Sequence, residues 1–281
     1  MAFFGKNPKI STSKKKNDIV KGLWQKCPSC RGMLHELELA ATLNVCPKCQ
    51  HHLQLPAPLR IDATFDADTF QEFDAELTSL DPLKFTGPTA YADRLKHYKD
   101  ATGLNEAVLT GFGTLHGYPI ALGVMDFRFL GASMGSIVGE KLARLIERAT
   151  EVKRPIVIFT ASGGARLHEG MFGLMQMVKV SGALARHAQA NLLFISVLTD
   201  PTMGGVMASI ASLGDLIIAE PGCRIAITGP NNAKEVTMQD PPRGFGKVEY
   251  FQEHGFVDLI VHRRDLRDRL GKSVQHLCAK Q

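Results

Sequence analysis

The 281-residue sequence has no apolar run approaching the roughly 20 residues that a helix needs to cross a bilayer, so a helical membrane span is not expected. Its opening stretch, MAFFGKNPKISTSKKK, lacks both a hydrophobic core and a cleavage site, and no export signal is read there. The expected protein is neither secreted nor membrane-spanning, and its expected compartment is the cytoplasm. Cysteine is sparse at six residues, and without an export signal these are read as thiols or thiolates rather than a disulfide framework. Acidic residues almost vanish from the beginning of the chain: from Met1 to Arg31 only Asp18 stands against seven lysines and one arginine. The formal charge of +5 is thus concentrated there, leaving the bulk near neutral. Residues 1–21 read as a basic flexible tail that is ordinarily solvated, with contact to nucleic acid as the lesser alternative. No Walker phosphate loop, internal repeat or low-complexity stretch interrupts the remainder.

Four of the six cysteines form two C-x-x-C turns, Cys27-Pro-Ser-Cys30 and Cys46-Pro-Lys-Cys49, separated by fifteen residues. Zn2+ takes four soft ligands in a tetrahedron, and each turn offers two sulfurs to one ion. A redox pair would need only one such turn in a βαβ setting, which is absent here. Four sulfurs leave no position open for water, so the expected ion is structural, in a ribbon over residues 22–55. His51 and His52 are expected at the surface, Cys223 as a small core residue and Cys278 as a tail thiol.

Pro56-Ala57-Pro58 reads as a stiff exit from the ribbon, and residues 56–281 as the enzymatic body. Residues 61–105 read as a helical lead-in, with helix-like patches over 67–73 and 90–99. Beyond Pro119, short apolar runs at 120–125, 156–160, 192–198 and 216–219 alternate with segments of helical period. In the first such segment Ile137, Val138, Leu142, Leu145, Ile146 and Ala149 share one side. Continuous apolar strands alternating with amphipathic helices indicate an α/β fold of βαβ units with strands buried on both faces.

Two of these strands run into glycine pairs, Gly163-Gly164 before Ala165 and Gly204-Gly205 before Val206, each read as leading into a helix. Paired glycines admit a substrate close to the main chain, and helix-start N–H groups can hold an oxyanion. Tight strand-to-helix turns alone would also use such glycines. Gly131-Ala132-Ser133-Met134-Gly135 matches G-x-S-x-G and raises a serine hydrolase as a rival, with Asp200 or Asp215 and His254 or His262 as partners. Gly111-Phe112-Gly113 precedes a strand and is a poor dinucleotide fingerprint. Met171, Met175 and Met177 read as core filler, His168 and Glu169 as caps or surface groups with polar walls beside the glycine turn as the lesser alternative, and Asp215 as a cap or turn.

The ribbon followed in order by DFRFLGASMGSIVGEKL, ASGGARLHEG and SVLTDPTMGGVMASIASLGDLIIAEPG closely resembles the β subunits of bacterial-type acetyl-CoA carboxylase carboxyltransferase, over about residues 24–264. The resemblance implies a crotonase-like half fold and transfer of a carboxyl group from carboxybiotin to acetyl-CoA, giving malonyl-CoA for fatty-acid synthesis. It gives Ser133 no nucleophilic role. It implies a site built from the backbone amides of Gly164, Ala165, Gly204 and Gly205, with biotin itself taking the proton. Its implied partners are a carboxyltransferase α subunit in an α2β2 assembly, a biotin carboxyl carrier protein and biotin carboxylase. The chain departs from the family pattern in TGPNNAKEVTMQDPPRGFGKVEY, after Ile227, which leaves local contacts to the coenzyme open. The ribbon is expected either to cover the crevice or to join the subunit interface.

Overall fold

The computed structural model describes residues 23–278, apart from the side chains of 230 and 231, so the expected basic tail lies outside the described residues. The ribbon begins with a hairpin of β1 (Trp24–Lys26) and β2 (Met33–His35), followed by the short helix α1 (Glu36–Ala41). Its small core is Cys27, Leu34, Leu39 and Cys46. So little apolar surface supplies little folding energy of its own.

Pro56 and Pro58 do not make a linker. They open helix α2 (Ala57–Thr64), where a missing N–H costs nothing in the first turn, and the Ala57 amide donates to Asp126 Oδ2 at 2.8 Å. The patch at 67–73 is likewise not helical and ends in strand β3 (Gln71–Phe73), whereas the patch at 90–99 lies within helix α3 (Tyr91–Thr102).

The body is a sheet in the order β10-β8-β7-β6-β5-β4-β3, with β9 pairing β7. Its strands are β4 (Val108–Leu115), β5 (Tyr118–Met125), β6 (Ile156–Ser162), β7 (Phe194–Met203), β8 (Leu216–Ala219), β9 (Ile225–Ala226) and β10 (Leu259–Ile260). From β5 to β10 all pairings are parallel; β3, β4 and β5 pair antiparallel. Along β6, Ile156 and Ile158 enter the core beneath helices α3, α4 (Ser136–Glu151) and α5 (Met171–Gln189). Val157 and Phe159 enter the opposite core, beneath α2 and α9 (Arg263–Cys278). Each buried side chain of this kind stabilises by about 1.5–3 kcal/mol, which is why these strands read as continuous apolar runs. Helices α6 (Gly204–Ser209), α7 (Pro230–Thr237) and α8 (Val248–Glu253) complete the chain, and the divergent segment after Ile227 forms α7 and the exposed turn behind it. Among the described residues no helix is long and apolar enough to cross a membrane.

Candidate active site and metal centre

The two glycine turns meet. Gly164, at φ +117°, and Gly204, at φ +57°, lie so close that a Cβ on Gly204 would stand 3.0 Å from the Gly164 Cα. A Cβ on Gly205 would meet Met177 Sδ at 2.9 Å. Only glycine allows both the left-handed backbone and this approach. Thr202 Oγ1, in β7, donates to the Thr160 carbonyl of β6 at 3.0 Å and ties the two strand ends together below the turns.

The turns are not alike. Gly204 and Gly205 open α6 as expected, but Gly163-Gly164 runs first into a bridge between Ala165 and Met134 and then a single 3-10 turn, Leu167–Glu169, before α5 starts. The Gly164 amide is turned inward and donates to Ser162 Oγ at 3.0 Å. Among the described residues no acceptor takes the amides of Ala165 or Gly205. Each turn therefore follows a left-handed glycine with a half-exposed residue whose N–H is unpaired.

Directly after the first turn comes Arg166, whose side chain is wholly buried. It donates to Glu106 Oε1 at 2.7 Å, Ser79 Oγ at 2.8 Å, the Ser133 carbonyl at 2.8 Å and Tyr91 Oη at 3.2 Å. Burial works to lower its pKa, but Glu106 and then Tyr91 and Glu169 reverse this, and the guanidinium stays charged. Glu169, expected as a cap or at the surface, is 0% exposed and caps the start of α4. It accepts from Tyr91 Oη and the Ser136 amide, each at 2.6 Å. Burial alone would raise its pKa; these bonds and Arg166 hold it below the ordinary carboxyl value.

The hydrolase reading fails on geometry. Ser133 Oγ donates to the Leu130 carbonyl at 3.0 Å and accepts from Arg166 Nε at 3.2 Å. The available partners are engaged elsewhere: Asp200 with Arg224, Asp215 with the Phe194 amide, His254 with the Tyr250 carbonyl and His262 against His52. Residues 131–135 instead serve as framework for the first turn, with Gly163 N–H donating to the Gly131 carbonyl at 2.9 Å and Ser162 Oγ to the Ala132 carbonyl at 2.7 Å.

In the ribbon both cysteine turns close identically. Cys27 and Cys46 each donate an amide to the carbonyl five residues on, Gly32 and His51, and each accepts from the amide four residues on, Arg31 and Gln50. The sulfurs of Cys27, Cys30, Cys46 and Cys49 all lie within 4.8 Å of one another, with Cys27–Cys49 at 3.7 Å and Cys30–Cys46 at 3.8 Å. Four sulfurs at about 2.3 Å from one Zn2+ would sit about 3.8 Å apart, so the donor set fits a tetrahedral zinc ion. As free thiols they differ: the His51 amide pulls Cys49 down to about 6, while burial pushes Cys46 up to about 11.

His52 is 3% exposed, contrary to expectation, because it faces the body. It stands 3.6 Å from Glu220, a carboxylate at the end of β8 that also pairs with Arg60 of α2 and with Arg263 at 2.5 Å. Burial would raise the pKa of Glu220, yet Arg60 and Arg263 hold it well below the ordinary range. Arg263 also donates to the Leu43 carbonyl of the ribbon at 2.7 Å, so one buried ion cluster fixes the ribbon to the sheet. Leu53, Gln54 and Leu55 share a narrow recess with Met125, Phe159 and Thr199, so the ribbon's exit covers the carboxyl ends of the central strands. Between ribbon and body lies a cleft of about 520 Å³, walled by Lys26, His51, His52, Arg128, Asp200 and Arg224. Neither turn lines it.

None of Arg166, Glu106, Tyr91, Glu220, Arg60 or Arg263 was legible as a site residue. Only Arg166 carried a local signal, its place directly after the glycine turn.

Comparison with known proteins agrees with these features. Residues 57–267 match the carboxyl transferase domain family, and residues 24–49 match the acetyl-CoA carboxylase zinc finger domain. The chain is 50% identical over 256 residues to the acetyl-coenzyme A carboxylase carboxyl transferase subunit beta of Synechococcus sp. (strain JA-3-3Ab), covering 91% of this chain and 82% of that one. It is 49% identical over 263 residues to the subunit of the same name from Methylacidiphilum infernorum, covering 94% and 95%. Among solved structures, transcarboxylase 12S with methylmalonyl-coenzyme A bound superposes with a TM-score of 0.66 at 26% identity. The alignment takes in 79% of this chain but only 41% of that one. A malonate decarboxylase hetero-dimer from Pseudomonas, at 21% identity and TM-score 0.61 over 78% and 85% of the chains, shares the fold. Fold and paired turns thus define a carboxyl transferase domain of crotonase-like architecture carrying a four-cysteine ribbon. The chain belongs to the family of acetyl-CoA carboxylase carboxyl transferase β subunits.

Proposed function

We infer that this chain is the β half of a biotin-dependent carboxyltransferase that converts acetyl-CoA to malonyl-CoA for fatty-acid synthesis in the cytoplasm. The observation that carries the mechanism is the meeting of two glycine turns that each present unpaired main-chain N–H, at Ala165 in the first and at Gly205 in the second. Carboxybiotin, delivered on its carrier protein, supplies the activated carboxyl group. As the acetyl methyl gives up its proton to the biotin ureido nitrogen, its new bond forms to the carboxyl carbon and the carboxyl–nitrogen bond breaks. While these bonds change, negative charge develops on two oxygens, that of the ureido group and that of the thioester, and fixed N–H donors would stabilise it more than water can because they need no reorientation. Gly164 and Gly204 supply the backbone shape, while Ala165 and Gly205 supply the donors. Cys27, Cys30, Cys46 and Cys49 hold one structural Zn2+.

The turns open to the surface, so a second wall is required. Beside them Met171, Leu174, Met175 and Val178 recur at helical spacing on the outer side of α5 and are 46–65% exposed. Met171 and Met175 are thus not the core filler that their composition suggests, whereas Met177 is half-buried and packs against the core. An exposed apolar stripe marks a docking surface, and a carboxyltransferase α subunit is the partner assigned to it here, in an α2β2 assembly served by biotin carboxylase and the carrier protein. The test is Gly205→Val in the assembled complex. Its side chain would strike Met177 and screen the donor, and loss of malonyl-CoA formation by at least about 100-fold is expected; wild-type turnover would refute the donor role.

A further inference from the structure

Arg166 takes no part in the steps above, yet the protein surrounds it with two buried carboxylates and gives every donor of its guanidinium a partner. Burying such a cluster is a weak way to gain stability, because desolvation consumes most of the attraction. Its location suggests another use. The Ala165 N–H belongs to the same peptide group as the Gly164 carbonyl, which accepts from Met134 N–H at 2.8 Å, and the next peptide group is held in turn by Arg166 N–H, which donates to the Met134 carbonyl at 3.0 Å. The Arg166 side chain then folds back and grips the same backbone at the Ser133 carbonyl, 2.8 Å away. Behind it, Glu106 at the start of β4 and Tyr91 on α3 anchor the guanidinium to elements remote in sequence. Glu169 joins the cluster to the start of α4 through the Ser136 amide, where the helix dipole offsets its charge.

We propose that Arg166 is a positioning residue for carboxyl transfer, clamping residues 133–134 against the Gly164–Arg166 backbone so that the Ala165 amide is aimed before substrate arrives. The proposal rests on the donor reading of the turns. Pre-aimed donors act on the transition state rather than on substrate affinity, and a misplacement of about 1 Å can cost about 100-fold in rate.

The test uses the chain assembled with a carboxyltransferase α subunit, with acetyl-CoA and carboxylated biotin as substrates. Arg166→Lys keeps the charge but loses the forked grip. It should lower kcat by about 10- to 100-fold while KM for acetyl-CoA stays within about twofold. Tyr91→Phe removes hydrogen bonds and strips no charge; it should show the same split at a few-fold, and decides the matter if Arg166→Lys does not assemble. Hydrogen exchange in a peptide spanning 163–166 should quicken in both variants. Unchanged kcat in assembled variants would overturn the clamp, as would a loss that merely follows the fraction of assembled protein. Gly205→Val separates the two ideas: if it retains activity, the donor reading itself fails, whereas an inactive Gly205→Val beside wild-type Arg166→Lys and Tyr91→Phe removes only the clamp.

Discussion

Several of the described glycines make room for side chains rather than turn the backbone. In the stretch that resembles a nucleophile elbow, a Cβ on Gly135 would lie 2.5 Å from Glu169 Oε1 and 2.9 Å from an Arg166 nitrogen. Gly131, at φ +61°, carries the turn. The G-x-S-x-G spacing thus arises from packing around a buried carboxylate. Gly135→Ala should destabilise the chain by about 1–3 kcal/mol through displacement of that carboxylate; an unshifted urea midpoint would mean that Glu169 can swing aside freely. The same cluster explains what the sequence concealed. Glu169 looks like a surface acid because its partners Tyr91 and Ser136 are 78 and 33 residues away. His52 looks exposed because Glu220 lies far along the chain.

Elements were legible where one environment ruled them. Strands β5 to β8 are buried on both faces and show as unbroken apolar runs, and the buried side of α4 contains Val138, Leu142, Leu145, Ile146 and Ala149 as its spacing foretold, with Ile137 only half-buried. Strand β4 escaped notice because it mixes half-buried with buried positions and contains Gly111 and Gly113, where a Cβ would collide with the Gln71 carbonyl and the Phe65 ring. The hairpin from β4 to β5 is held by Asp66, which accepts from the Gly117 amide at 2.9 Å, Thr114 Oγ1 at 2.7 Å and Arg267 of α9 at 2.7 Å. The Gly117 amide, Thr114 and Arg267 bring its pKa from 3.8 down to about 2. As pH falls the unfolded chain binds this proton first, so the stabilisation is complete above about pH 4 and fades as pH drops toward 2. Asp66→Asn should flatten the fall in stability across that window, as read from urea midpoints at several pH values. Parallel curves for the two proteins would show that Asp66 is not responsible.

At the scale of the whole molecule, the ribbon and the sheet act as one body because Glu220, Arg60 and Arg263 join them, and the ribbon covers the strand ends without lining the glycine turns. Beside the glycine turns, α5 exposes Met171, Leu174, Met175 and Val178. A charge placed there, as in Met175→Asp, should weaken association with the α subunit by at least about tenfold while leaving the fold intact; sedimentation of the mixture checks it, and undiminished association would move the interface elsewhere. On the proposed reading, this chain holds half of a carboxyltransferase site. Malonyl-CoA formation from acetyl-CoA and carboxylated biotin, measured for the chain alone, for the α subunit alone and for their complex, tests it most directly. Product should form only with the complex; turnover by the chain alone, or none from a complex shown to be assembled, would contradict it.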